Sequence, residues 1–213
     1  MRKRIIALAF CCATILMIAL LYMATNYIII TKVDYQGPIG IIDTYLNHEH
    51  DNIYYNSVYE INESGRTHGD QLIDFARCLG YNNKIYYFAA VNDCGEISTE
   101  KIIDGLNEMV YNNIRRVNIS LSSIIYENSL NEWIQEHPNI SVYCCYNNLL
   151  NSVADYPAMY DNVIASGSDK RISYKECDKH YRSNRIIVLS SKLHKCEGNS
   201  FLSLYTLLCQ KAE

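Results

Sequence analysis

Ile39-Gly40-Ile41-Ile42-Asp43-Thr44 is the stretch that decides the fold. A strand with one face in water alternates apolar and polar residues, whereas one covered on both faces stays apolar through successive positions. Residues 39–42 do the latter and then close on an acid, the pattern of a parallel strand inside a sheet whose carboxyl end carries a polar group.

The same punctuation repeats downstream. Leu72, Ile73, Phe75, Ala76 and Leu79 have helical spacing, and 84–91 reads as a strand. Ile102, Ile103, Leu106, Met109 and Val110 mark a second helix, with Ser98 as its N-cap and Glu100 in its first turn. Further strands are expected at 115–121, 140–146, 162–166 and 185–190, with helices at 130–136 and 199–210. Strands alternating with helices of this length build βαβ units. The expected architecture is therefore α/β in three layers, a mostly parallel sheet with helices on both faces.

Ahead of this region lies a segment of another kind. Arg2, Lys3 and Arg4 are followed by residues 5–30 without a single charge, longer than the roughly 20 residues needed to cross a bilayer. A cleavable signal has a shorter apolar region and a small-x-small exit, so one uncleaved N-terminal transmembrane helix is expected, with secretion the outcome if it is cut. Basic residues at 2–4 against Lys32 on the far side put the N-terminus in the cytoplasm and the domain outside. The division is 1–30 for the anchor, with the lipid bilayer as partner, and 31–213 for one compact domain.

The chain of 213 residues carries a net charge of -4, with no clustered basic face beyond its N-terminus, which argues against nucleic acid as a partner. Its nine cysteines form no C-x-x-C pair, so neither a zinc knuckle nor a dithiol redox motif is expected, and most read as buried small hydrophobes.

Acyl transfer needs a nucleophile, a base, a carboxylate orienting the base, and donors for the oxyanion. Asp43 ends a strand, His68-Gly69 precedes a helix, and Ser200 in Gly198-Asn199-Ser200 starts the last one, where the helix dipole favours developing negative charge. Singly these are common features of turns and caps. In order and in context they resemble the subtilisin-like serine proteases across nearly all of 39–210. Ile41-Ile42-Asp43-Thr44 is similar to that family's Asp motif, Thr67-His68-Gly69 to its His motif, and Val117-Asn118-Ile119-Ser120-Leu121 to its cleft strand. The segment Tyr156-Pro157-Ala158 leading to Val163-Ile164-Ala165 resembles its tyrosine-proline-alanine block, and Gly198-Asn199-Ser200 stands where the nucleophile motif falls.

The resemblance implies a serine endopeptidase with Asp43, His68 and Ser200 as triad, Asn147 as side-chain oxyanion donor with Asn148 the adjacent fallback, and Ser120, Leu121 and Ser122 along the substrate. A peptide or protein would be the partner, taken as an added β-strand. No cofactor and no metal is implied. Departures from the pattern are Tyr45 for a Gly, Asp70 and Gln71 for the Thr and His after the catalytic His, Cys145-Tyr146 for the Ala-Gly before the Asn, and Leu204 for a Pro.

Competing readings remain. His48, Glu49 and His50 read as a solvated loop more than as metal ligands, and Asp34, Asp51 and Asp93 do not form an oxygen-rich calcium loop. Cys144 and Cys145, inside a strand, read as packing and not as nucleophiles. A dinucleotide fold would need a Gly-rich turn where Asp43-Thr44-Tyr45-Leu46 stands. The main rival is a catalytically weak or inactive domain of the same fold that binds a peptide or protein partner at the surface.

Overall fold

The computed structural model describes residues 2–56, 65–92, 94–148, 155–168, 178–190 and 193–209; Asp93, Cys177 and Gln210 fall outside them. In chain order the elements are α1 (Arg2–Asn26), β1 (Ile28–Ile30), β2 (Ile39–Asp43), β3 (Ile53–Asn56), α2 (His68–Cys78), β4 (Ile85–Ala89), α3 (Thr99–Tyr111), β5 (Arg116–Ile119), α4 (Asn128–Glu136), β6 (Ser141–Cys145), β7 (Val163–Gly167), β8 (Lys179–His180), β9 (Arg185–Leu189), β10 (Leu193–Glu197) and α5 (Asn199–Cys209).

Seven strands form one parallel sheet in the order β3-β4-β2-β5-β6-β7-β8. Every residue of β2 is buried, as its unbroken apolar run demands. Its successive side chains enter different cores: Ile42 packs with Leu106, Trp133 and Val117 beneath α3 and α4, while Ile41 packs with Leu72, Phe75 and Leu204 beneath α2 and α5. That is the three-layer α/β arrangement. The chain first crosses from β2 to the β3-β4 side and then returns past β2 to β5, so the carboxyl end of β2 is the point where connections diverge, the usual site of a functional crevice.

Several short strands carry too little pattern to be read in advance. β3 and β8 lie at the sheet edges, and β10, alternately exposed and half-buried, pairs antiparallel with β9. The uncharged run 5–30 also divides in two. Residues up to Asn26 form α1, which contains an 18-residue window, Ala9–Asn26, long and apolar enough to cross a membrane. Ile28–Ile30 instead pair in parallel with Ile186, Ile187 and Val188 of β9. A three-residue strand inside a longer hydrophobic run has no signature of its own.

Candidate active site

Asp43 closes β2 at the centre of the sheet and is fully buried. Its Oδ1 accepts hydrogen bonds from the Thr44 backbone N-H at 2.6 Å and the Thr44 hydroxyl at 3.0 Å. The acid-Thr pairing thus satisfies the buried Oδ1 from the chain itself. His68 Nδ1 lies 2.8 Å from Oδ2 and 3.0 Å from Oδ1. An ionised carboxylate can only accept, so Nδ1 carries the proton and Nε2 keeps its lone pair, the tautomer a general base requires. Burial alone would lower the His68 pKa, but the hydrogen bond and the negative charge of Asp43 outweigh it and hold the imidazole above its ordinary value.

His68 does not precede its helix, as the sequence suggested, but begins it. Thr67 is the N-cap, its hydroxyl accepting from Asp70 N-H at 3.1 Å while Asp70 Oδ2 accepts from the Thr67 N-H at 2.8 Å, a reciprocal capping box. Gly69 is required by close approach: a Cβ there would overlap the Tyr87 hydroxyl and come within 2.7 Å of its ring carbon Cζ. The Tyr87 hydroxyl in turn donates to the Thr44 carbonyl at 2.8 Å, so the first turn of α2, strand β4 and the end of β2 lock together around the Asp43–His68 pair.

In the sequence Asp70 stands only as a departure from a motif. In the fold its buried carboxylate also accepts from the backbone N-H groups of Asn47 and His48, each at 3.2 Å, from His48 Nδ1 at 3.2 Å and from His50 Nε2 at 2.8 Å. Burial works to raise its pKa, yet the bonds from His50, Thr67 and His48 together hold it well below the usual carboxylate range. His50, expected in solvent, is nearly covered, with 8 % of its side chain exposed. The Thr67-x-x-Asp70 spacing is the signal that could have identified this hub.

Ser200 sits in the first turn of α5, entered through Gly198 at a φ of 134°, a left-handed value natural to glycine. The helix start is fixed from two strand ends. Asn148 Oδ1 accepts from the Asn199 N-H at 2.9 Å, Asn199 Nδ2 donates to the Asn147 carbonyl at 3.1 Å, and the Ser168 hydroxyl donates to Asn199 Oδ1 at 3.0 Å. Deeper along α5, the Ser203 hydroxyl donates to Asn118 Oδ1 at 2.8 Å and the Ser166 hydroxyl to Thr206 Oγ1 at 3.0 Å, tying the helix to β5 and β7 through buried polar pairs. Phe201, next to Ser200, packs with its ring centroid 6.1 Å from that of His68.

Asp43 and His68 are therefore joined directly, and buried Ser200 lies on α5, which packs against α2 through Phe201 on Phe75 and His68. Among the described residues the Ser200 hydroxyl is not hydrogen-bonded to His68; it lies 3.6 Å from Cys145 Sγ. Burial pushes the Cys145 thiol up to about 12 and the neighbouring Cys144 thiol well above its ordinary value, so both are neutral packing groups at physiological pH.

Asn147 follows β6, half-buried, with its backbone N-H donating to Asp155 Oδ2 at 2.7 Å. The Asn148 side-chain oxygen is engaged by the α5 terminus. Of the three residues expected along a substrate, Ser122 is exposed whereas Ser120 and Leu121 are buried at 7 % and 9 % exposure. Leu121 and Ser122 border a cavity of about 320 Å³ whose walls include Ile97, Ile102, Leu130, Tyr156 and Pro157. The Tyr156-Pro157 wall is attached to the 120–123 segment by reciprocal Ser123–Tyr156 backbone bonds, both 2.8 Å.

No family model and no curated protein matches the sequence. Among solved structures the chain is similar to the psychrophilic subtilisin-like protease Apa1 from the Antarctic psychrotroph Pseudoalteromonas sp. AS-11, with a TM-score of 0.52 and 17 % identity. The likeness covers 62 % of this chain and 36 % of that one, and is a likeness of fold.

Proposed function

We propose that this protein is a membrane-anchored serine endopeptidase of subtilisin-like fold. The observation that carries the reading is the buried Asp43 carboxylate on His68 Nδ1, at the divergence point of a parallel sheet, with a serine in the first turn of a helix that packs on His68 through Phe201. The His68 side chain stays 38 % exposed while its Asp43 partner is fully buried, which leaves the imidazole within reach of a substrate. The partial fold likeness to a subtilisin-like protease supports the same reading.

In the proposed cycle Ser200 Oγ attacks the carbonyl carbon of a peptide bond while His68 Nε2 takes its proton, and Asp43 stabilises the imidazolium. The tetrahedral oxyanion is held by the Ser200 backbone N-H at the positive end of α5 and by the Asn147 side-chain amide. His68 then protonates the leaving amine, and a water attacks the acyl-enzyme by the same route in reverse. The polypeptide enters beside 120–122, with an apolar side chain in the cavity walled by Leu121 and Tyr156.

Helix α1 is the anchor, with its basic N-terminal end in the cytoplasm and the peptidase domain on the far side. The test is labelling with a fluorophosphonate, which phosphonylates activated serines. A single site at Ser200, lost in Ser200→Ala, supports the reading, and a folded but unlabelled wild type would leave a peptide-binding domain without catalysis.

A further inference from the structure

The junction between α1 and the domain is not a loose tether. The helical hydrogen-bond pattern continues to Tyr27, whose N-H donates to the Met23 carbonyl at 2.9 Å, and β1 begins at the next residue. From there the chain is stitched down throughout. Ile28, Ile29 and Ile30 pair with β9, Ile30 and Val33 are buried at 3 % and 1 % exposure, and the Tyr35 N-H donates to the Leu208 carbonyl at the end of α5 at 3.0 Å. A second link runs from the domain to the helix itself, where exposed Arg182 donates to the Ala24 carbonyl at 2.5 Å.

The place of attachment matters as much as its tightness. β1 runs parallel to β9, and β9 is antiparallel to β10, so the start of β1 and the end of β10 lie at the same end of the ribbon with β9 between them. Ile28 pairs with Ile186, which pairs with Cys196, and Gly198 N-H donates to the Asn184 carbonyl at 3.0 Å just before the Ser200 helix. The helix therefore leaves the domain from the same end of the ribbon that delivers the nucleophile. Two residues from Asn26 to Ile28 and four from Cys196 to Ser200 span at most about 3.5 Å each. With two inter-strand steps of about 5 Å between them, the path from the end of α1 to Ser200 is about 30 Å or less.

The groups at this junction suit a headgroup layer. Tyr22 is exposed on the last turns of α1, Tyr27 follows it, Ile29 is exposed, and the exposed Arg182 and Arg185 stand on the adjoining chain, Arg185 paired with Glu197 at 3.3 Å. Tyrosines and arginines at the end of an apolar helix are the ordinary anchors of a membrane interface.

Resting on the reading of α1 as a span and Ser200 as the nucleophile, we infer that the catalytic cleft works at the bilayer surface, within about 30 Å of the headgroups. Its substrates are polypeptide segments held at that same membrane, such as the juxtamembrane stretch of another anchored protein. A freely diffusing peptide reaches the same residues but lacks the high effective concentration of a co-anchored one.

The test uses the full chain in liposomes. Ser200 is labelled with a fluorophosphonate bearing a donor dye, and energy transfer is measured to acceptor dyes on lipid headgroups. The expected closest approach is about 30 Å or less; labelled Ser200 lying beyond about 60 Å, twice that path, overturns the inference while leaving the protease reading intact. Absence of labelling overturns the protease reading, and the inference falls with it. A second arm compares one peptide sequence, free in solution or lipid-tethered through a short linker, against wild type and a variant with a 20-residue rigid helical spacer, about 30 Å, between Asn26 and Tyr27. The tethered peptide should be cut at least about 10-fold faster by wild type than by the spacer variant, with the free peptide cut equally by both. Equal rates on the tethered peptide contradict the inference.

Discussion

His68 Nδ1 and Asp43 Oδ2 lie 2.8 Å apart, the carboxylate fully buried and the imidazole partly open to solvent. The pair fixes the tautomer of His68 and raises its pKa, so the neutral base is available only above the ordinary imidazole value. The acid limb of kcat/KM should accordingly lie above pH ~6.5, activity rising as His68 loses its proton. In Asp43→Asn the charge is lost and the burial of His68 is unopposed, so that limb should move to lower pH. The rate should fall by about 10⁴-fold, because a carboxamide can hold the wrong tautomer. A pH–rate profile of both proteins checks this, and an unmoved limb would mean that Asp43 does not act on His68.

Asp70 acts on the loop that follows Asp43 and on the cap of α2. Asp70→Ala strands buried donors on Thr67 and His50 and should cost about 2–3 kcal/mol, read as a lower Tm, against a few tenths for an ordinary surface change. The sign of its pH dependence is fixed by its depressed pKa. Its contribution is present above the unfolded carboxylate value of ~3.9 and is lost as pH falls below that towards the folded value. Wild type should therefore lose more stability on acidification than the variant does, and parallel Tm-against-pH curves would contradict this role.

Gly69→Ala tests the close approach of α2 to β4. The new methyl group must displace Tyr87, which is 1 % exposed and has no room to move. A loss of about 1–3 kcal/mol is expected from the overpacking, together with about 100-fold in turnover as His68 shifts from alignment. Melting and turnover measured on one sample decide it, and a variant normal in both would remove the packing explanation for this glycine.

The central architecture was legible because burial on both faces leaves a run such as 39–42 apolar without interruption. Asp43, His68 and Ser200 could be picked out only by their order and the motifs around them, since a polar residue where an element begins or ends is common. What escaped was set by tertiary partners. Ile28–Ile30 look like membrane helix until β9 supplies their hydrogen bonds, and β10 carries the weak alternation of a strand with one side half-covered. Asp70 looked like a lost motif residue because its role depends on His48 and His50, some 20 residues away in sequence.

Asn147 and Asn148 should separate cleanly by function. Asn147→Ala is expected to lower kcat by about 100- to 1000-fold, the range for loss of a side-chain oxyanion donor, with KM and Tm nearly unchanged. Asn148→Ala removes the acceptor for the Asn199 N-H and should cost about 1 kcal/mol of stability with a smaller effect on rate. If Asn148 alone carries the kinetic loss, the oxyanion donor is assigned one residue too early.

Ser200 should behave as an activated nucleophile, and stoichiometric titration with a fluorophosphonate followed by peptide mapping measures that directly. One label per chain is expected on Ser200 of the folded wild type, none on Ser200→Ala, and loss of labelling in His68→Ala despite an intact serine, since triad members act as a unit. A folded wild-type protein that takes no label, or a Ser200→Ala variant that labels as well as wild type, would contradict it.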